Sequence, residues 1–191
     1  MRYQKNQKDT TRQKIIDVAA RLFKVNGTDA SGVATIMKEA GLTNGAFYAH
    51  FASKDSLVEA VISDQLYKQH ETFKQQLKNN HDLENIITLY LSDEHLKDCA
   101  GGCPSASLVG DISKRSLSTR QVYTDSLDNI TTELMGTIKN NSTHKKQFTL
   151  ALFGLLIGTL QLARTVTDES LAKDILKGGR ETALSLVANN T

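Results

Sequence analysis

A single proline, Pro104, stands among 191 residues, and no stretch of useful length alternates apolar and polar residues as a half-buried strand must. Apolar residues instead recur at three- and four-residue spacing nearly from end to end, the pattern of one buried helical face. The chain therefore reads as all-α, with about nine helices. Thr10 to Val25 carries Ile15, Ile16, Val18, Ala19, Leu22 and Phe23 on one face, and Asn26-Gly27 supplies a stop. Ser31 is placed to cap a short helix that ends at Gly41, and Thr43 or Asn44 to open another short one. Ser53 caps a long helix with Leu57, Val58, Val61, Ile62, Leu66 and Phe73 inward. Helical faces follow at Leu83–Leu91, after Pro104, at Val122–Ile138 and at Lys145–Thr165. Asp168 caps the last helix. Breaks are expected at 78–82 and 140–143.

The formal charge of +2 identifies no partner, but its distribution does more. Residues 1–54 hold nine Lys/Arg against four Asp/Glu, a surplus of +5 that leaves −3 for the rest. Five of those cations (Arg2, Lys5, Lys8, Arg12 and Lys14) fall in residues 2–14 and form a basic arm. Such asymmetry suits an N-terminal part that meets a polyanion, or a merely solubilising arm.

Two short helices joined by a tight turn at Gly41, after a longer helix, form a helix-turn-helix arrangement inside this basic third. Its second short helix would enter a DNA major groove. Thr43 and Asn44 have short polar groups able to reach base edges or phosphates, or simply to cap the helix. Gly45 lets the helix approach the groove closely, and Tyr48 offers a ring and a hydroxyl. Phe47 is divided between core and a thymine methyl, and Phe51 is assigned to core. Ser31, Thr35, His50 and Lys54 complete the candidate DNA contacts, Lys54 beside the capped start of a helix.

Read as one run, Val33 to Leu57 resembles the DNA-binding signature of the tetracycline-repressor (TetR) family. The likeness is sharpest at Gly41-Leu42, Gly45, Phe47-Tyr48, Phe51 and Ser53-Lys54-Asp55-Ser56-Leu57, and covers about residues 10 to 60. Gly32 departs from it, standing where the family often has a Thr or Ser that contacts a phosphate. The resemblance implies a DNA-binding domain over 1–52 and an effector-binding and dimerisation domain over 53–191. It further implies a homodimeric repressor released from a two-fold operator by a small, hydrophobic effector. By the same analogy the effector pocket lies among the middle helices, with Phe73, Tyr90, Leu108, Tyr123, Phe153 and Gln161 as candidate lining. Effector binding would shift the long helix starting at Ser53 and change the spacing of the two recognition helices.

Around Leu150–Leu162 the chain is apolar on nearly every side and must be covered all round. Ala151, Gly154 and Gly158 form a stripe of small residues that suits a dimer interface shared with Leu176 and Ala183 of the last helix, or close packing inside one chain. Cys99 and Cys103 flank two glycines near Lys97 and could respond to oxidants or electrophiles, or be ordinary loop cysteines. With His95 they make no complete metal set, and neither metal nor cofactor is expected. No glycine-rich phosphate loop, nucleophile elbow or zinc-protease motif appears, and the five histidines are scattered, so an enzyme or a helical adaptor is the weaker reading. The polar N-terminus is no secretory signal. Phe148 to Ala163 falls short of the roughly 20 apolar residues of a membrane span, so a cytoplasmic protein is expected.

Overall fold

The computed structural model describes residues 2–78, 82–138 and 144–189, with side chains from residue 7 onward. The expected breaks fall largely outside those residues. Ten helices and no strand occur among them: α1 (Arg2–Asn26), α2 (Val33–Glu39), α3 (Asn44–Phe47), α4 (Lys54–Lys78), α5 (Leu83–Tyr90), α6 (Asp93–Lys97), α7 (Pro104–Ile112), α8 (Leu117–Thr137), α9 (Lys145–Thr165) and α10 (Glu169–Ala188).

Local chemistry explains most boundaries. At the end of α2 the Leu42 N–H donates to Met37 O (2.9 Å) and the Gly41 N–H to Lys38 O (3.0 Å), the paired bonds of a Schellman turn. Gly41 has φ +65°, where any side chain would strain the backbone. Ser53 begins α4 as expected: its Oγ accepts from the Ser56 N–H, and Ser56 Oγ accepts from the Ser53 N–H, both at 3.1 Å. The basic arm is a continuation of α1, which begins at Arg2 rather than near Thr10. The tenth helix, α6, escapes sequence reading because its five residues include one aliphatic side chain, Leu96. It exists because Ser92 Oγ accepts from the His95 N–H at 3.2 Å.

Two hydrophobic cores meet along α4. The first joins Ile15, Phe23, Ile36, Met37, Phe47 and the first half of α4 to Leu108 and Ile112 of α7. The second joins Phe73 at the far end of α4 to α5, α8, α9 and α10. Along α4 the cores part between Leu66 and Phe73, and α4 and α7 are walls of both.

Helix α9 runs 21 residues and is long and apolar enough to cross a membrane by length and composition, so the length argument against a span fails. Its inward side, with Leu152, Phe153, Leu156, Leu160 and Ala163, fills the second core. A Cβ on Gly179 of α10 would overlap the Thr159 side chain, so the close helix approach is there. At Gly154 and Gly158 a Cβ would meet nothing within 4 Å.

Candidate nucleic-acid interface and the cleft behind it

The short helix α3 is held from below and bare on top. Phe47 is 1% exposed, meets Phe51 with ring centroids 5.6 Å apart, and takes the edge of Tyr48 at 5.3 Å. Enclosed in this way, Phe47 anchors α3 to the first core rather than presenting its ring on the open face, where a thymine methyl was expected to meet it. Phe51 is core, with the Arg12 guanidinium 4.9 Å from its ring centroid. On the open side Tyr48 is 73% exposed, and Asn44 and Gly45 are exposed beside it. Thr43 is the N-cap of α3 but makes no side-chain cap bond, leaving its hydroxyl for an outside partner.

The neighbouring candidates divide. Thr35 is exposed on α2 and shares a shallow hollow with Lys38, one of the cations of the basic N-terminal third. Ser31 is buried, its hydroxyl turned back toward Gly27 O at 3.4 Å, and the N-cap of α2 is Gly32. The Ser31 hydroxyl is thus turned into the chain rather than presented at the surface. His50 is half-buried, with Nδ1 enclosed and unpartnered. Lys54 donates to Asp29 O at 3.1 Å, so it ties the start of α4 to the loop after α1. Lys14 brings another cation to the turn, 3.9 Å from the place a Cβ on Gly41 would occupy. Short hydroxyl and amide groups, one exposed phenol and flanking ammonium groups form a surface that can bond phosphates and base edges together.

Behind this surface a cleft of about 670 Å³ opens between α1, α4, α5 and the α6–α7 corner. Phe73 and Tyr90 line it as expected, joined by Lys24, Gln69, His95 and Cys103. Leu108 and Phe153 do not: both are enclosed, in the first and second core respectively. Tyr123 is half-buried against the first core, and Gln161 is half-buried on α9 away from the cleft walls. The polar lining escaped sequence reading because its members are remote in the chain.

The corner is held by hydrogen bonds. His95 Nε2 accepts from the Cys103 N–H at 3.0 Å, which leaves Nδ1 to donate to Tyr90 O at 2.7 Å. Arg164 of α9 donates from Nε to Leu96 O at 3.2 Å and from Nη2 to Asp98 O at 3.2 Å. Lys24, at the end of α1, donates to Gly102 O at 3.1 Å. Burial pushes the Lys24 ammonium below its usual range, opposed by Cys103 and Asp98. Burial also lowers His95, with the Tyr90 carbonyl opposing and Arg164 adding to the fall.

The His95 shift has a sign that can be checked. A histidine whose folded pKa is depressed contributes stability that is present above the ordinary value of about 6.5 and is lost as pH falls through the folded value. The thermal midpoint of the native chain is therefore expected to drop more between about pH 7.5 and about pH 5.5 than that of His95→Gln. Equal drops in both would show that His95 is not charged on unfolding in this window.

A second set of bonds ties α1 and the loop after it to α4 and the end of α7, around the first core. Asp111 Oδ2 accepts from the buried Thr28 through both its N–H (2.7 Å) and Oγ1 (2.8 Å). Arg115 donates to Thr28 Oγ1 at 2.6 Å and pairs with Asp29. Lys68 of α4 bridges Asp17 of α1 (2.8 Å) and Asp64 (2.9 Å). Burial would raise the Asp17 carboxyl, but hydrogen bonds from Lys68 and Gln13 outweigh it and hold the carboxyl low.

On the far side of the second core, Ala151, Gly154 and Gly158 lie exposed along α9, with Leu162 56% exposed on the same stripe. Leu176 and Ala183 of α10, expected to share that surface, are buried at 3% and 0% exposure. Helical spacing turns them toward α9 and α5, and the exposed side of α10 carries Leu171, Gly178 and Leu186 among polar and charged residues.

Residues 15–61 match the family model described as bacterial regulatory proteins, tetR family. A 57-residue segment is 42% identical to the HTH-type transcriptional regulator AcrR of Shigella flexneri, covering 30% of this chain and 26% of that protein. The whole fold is similar to E. coli NemR in its reduced form, with TM-score 0.76 and 17% identity over 92% of this chain and 96% of that one. It is also similar to FadR of Bacillus subtilis in complex with stearoyl-CoA, with TM-score 0.67 and 20% identity over 92% and 97%. The matched segment spans less than half the length of the curated relatives.

Proposed function

We propose, on the match of residues 15–61 to the model of the tetR family of bacterial regulatory proteins, that this chain is a sequence-specific transcriptional regulator acting on double-stranded DNA. It works in the cytoplasm as a homodimeric repressor, and its role is regulatory rather than catalytic. The observation that carries this reading is the pairing on α3 of a fully enclosed Phe47 with an exposed Tyr48, Thr43 and Asn44. A core aromatic fixes the helix, and its outer face keeps polar groups without intramolecular work.

Two further features support the regulatory part. The exposed stripe of α9 (Ala151, Gly154, Gly158, Leu162) and the open face of α10 form a surface suited to an isologous contact with a second copy. Two recognition helices would then address half-sites about 34–36 Å apart. The cleft offers apolar walls with a few polar groups, as a small-molecule site requires, and FadR of this fold was solved with a bound acyl-CoA. Lys24 gives such an effector a direct handle on α1, since the same ammonium lines the cleft and holds Gly102. Release follows if the effector binds better to the arrangement in which α1 and the α6–α7 corner have moved apart.

Binding to DNA from upstream of the chain's own gene, against scrambled DNA over a salt series, tests the core of this reading. Binding is expected to survive competitor DNA, to weaken steeply with salt, and to be lost in Tyr48→Ala. Failure to select any preferred site from randomised DNA would overturn it.

A further inference from the structure

Cys103 occupies an unusual position: it is the N-cap residue of the nine-residue helix α7 and lies in the wall of the cleft. Its Sγ accepts a hydrogen bond from Gln69 Nε2 at 2.8 Å. The cation that faces it is Lys24 of α1. A helix N-terminus, an amide donor and an ammonium group thus surround the sulfur. None of this alone marks a site, because a buried cysteine is commonly inert.

The second observation is Tyr90. It is 7% exposed and lines the same cleft. Its enclosed hydroxyl lies near the Cys103 sulfur without reaching hydrogen-bond geometry to it or to any other group among the described residues. An enclosed hydroxyl without a well-placed acceptor is unfavourable. The cleft is therefore short of one acceptor, beside the one thiol among its lining residues. A ligand that brings a carbonyl oxygen to Tyr90 and an electron-poor carbon to Cys103 would satisfy both.

We propose that Cys103 is a covalent capture site for α,β-unsaturated carbonyl compounds, the carbonyl oxygen being received by the Tyr90 hydroxyl. The Cys103 thiol loses its proton to solvent, and the sulfur adds to the β-carbon. The carbon–carbon π pair moves onto the carbonyl oxygen as an enolate that accepts the Tyr90 O–H bond. The enolate then takes a proton at its α-carbon from water. One C–S bond forms, one π bond is lost, and no oxidant is consumed. The adduct fills the space beside Lys24 and Gly102, which is the contact between the cleft and α1. Its regulatory consequence rests on the function proposed above, whereas the capture itself does not.

The test uses the full chain with cyclohex-2-enone as probe and cyclohexanone as its saturated counterpart. Intact mass should rise by one enone per chain, and peptide mapping should place the adduct on Cys103. Exposure alone would favour the half-exposed Cys99 over the buried Cys103, so an expected rate at Cys103 about tenfold above that at Cys99 is a demanding result. Cys99→Ser should leave capture unchanged. Tyr90→Phe should slow it about tenfold, as should Gln69→Leu if the first variant does not fold. Labelling of Cys99 first, or an unchanged Cys103 rate in the folded Tyr90 or Gln69 variant, would overturn the proposal. Cyclohexanone should add no mass. Capture at Cys103 that leaves operator affinity intact would support the site and overturn its role in release, while operator binding by unmodified protein reports on the DNA reading separately.

Discussion

Phe47→Ala is expected to cost about 3–5 kcal/mol of stability and to abolish specific DNA binding. That is the usual penalty for emptying a fully enclosed phenylalanine site. The ring is 1% exposed between Tyr48, Phe51 and the first core, so its removal leaves a cavity beneath a helix of only four residues. So short a helix cannot persist on its own hydrogen bonds. Tyr48→Ala is the informative contrast. Tyr48 is 73% exposed and its loss should change stability by no more than about 0.5 kcal/mol, yet it too should remove operator binding. Denaturant melts and DNA titrations on the two variants separate support from contact. Phe47→Leu, which refills most of the site, should restore folding and binding together. If Phe47→Leu folds normally but does not bind, the ring itself touches DNA and its anchoring role is insufficient.

Gly158→Glu should convert the proposed dimer to a monomer and weaken operator binding by about a hundredfold or more, since each half-site is then bound without the help of the other. The substitution is chosen because a Cβ at 158 meets nothing within 4 Å in the single chain. The monomer should therefore fold normally, and a carboxylate would disturb only a surface covered by a second copy. Sedimentation and DNA titration on the same samples check both halves. A variant that remains dimeric and binds DNA as before would move the interface off this stripe of α9. Gly179→Glu must not be used in its place, because its side chain would collide with Thr159 inside the chain and unfold α10 from α9.

The sequence by itself determined the features that depend on a few neighbouring residues. Helical periodicity, the Ser53 cap, the Gly41 turn and the polar start of α3 are each settled by side chains within one or two turns, so all were legible. Phe47 was not, because whether an aromatic beside Tyr48 points in or out depends on what α1 and α4 bring beneath it. The same limit applied to α10, where Leu176 and Ala183 carry the spacing of a buried face but not the identity of what buries it. It also applied to the small residues of α9 and α10, of which only Gly179 proves to be a close approach. Tertiary structure alone decided the polar cleft. Lys24 reaches Gly102 across 78 residues and Gln69 reaches Cys103 across 34, while Arg164 holds the corner from α9. Such contacts leave no local pattern, because a hydrogen bond between remote residues requires only that two helices arrive side by side. That arrival is set by how both hydrophobic cores close around α4 and α7.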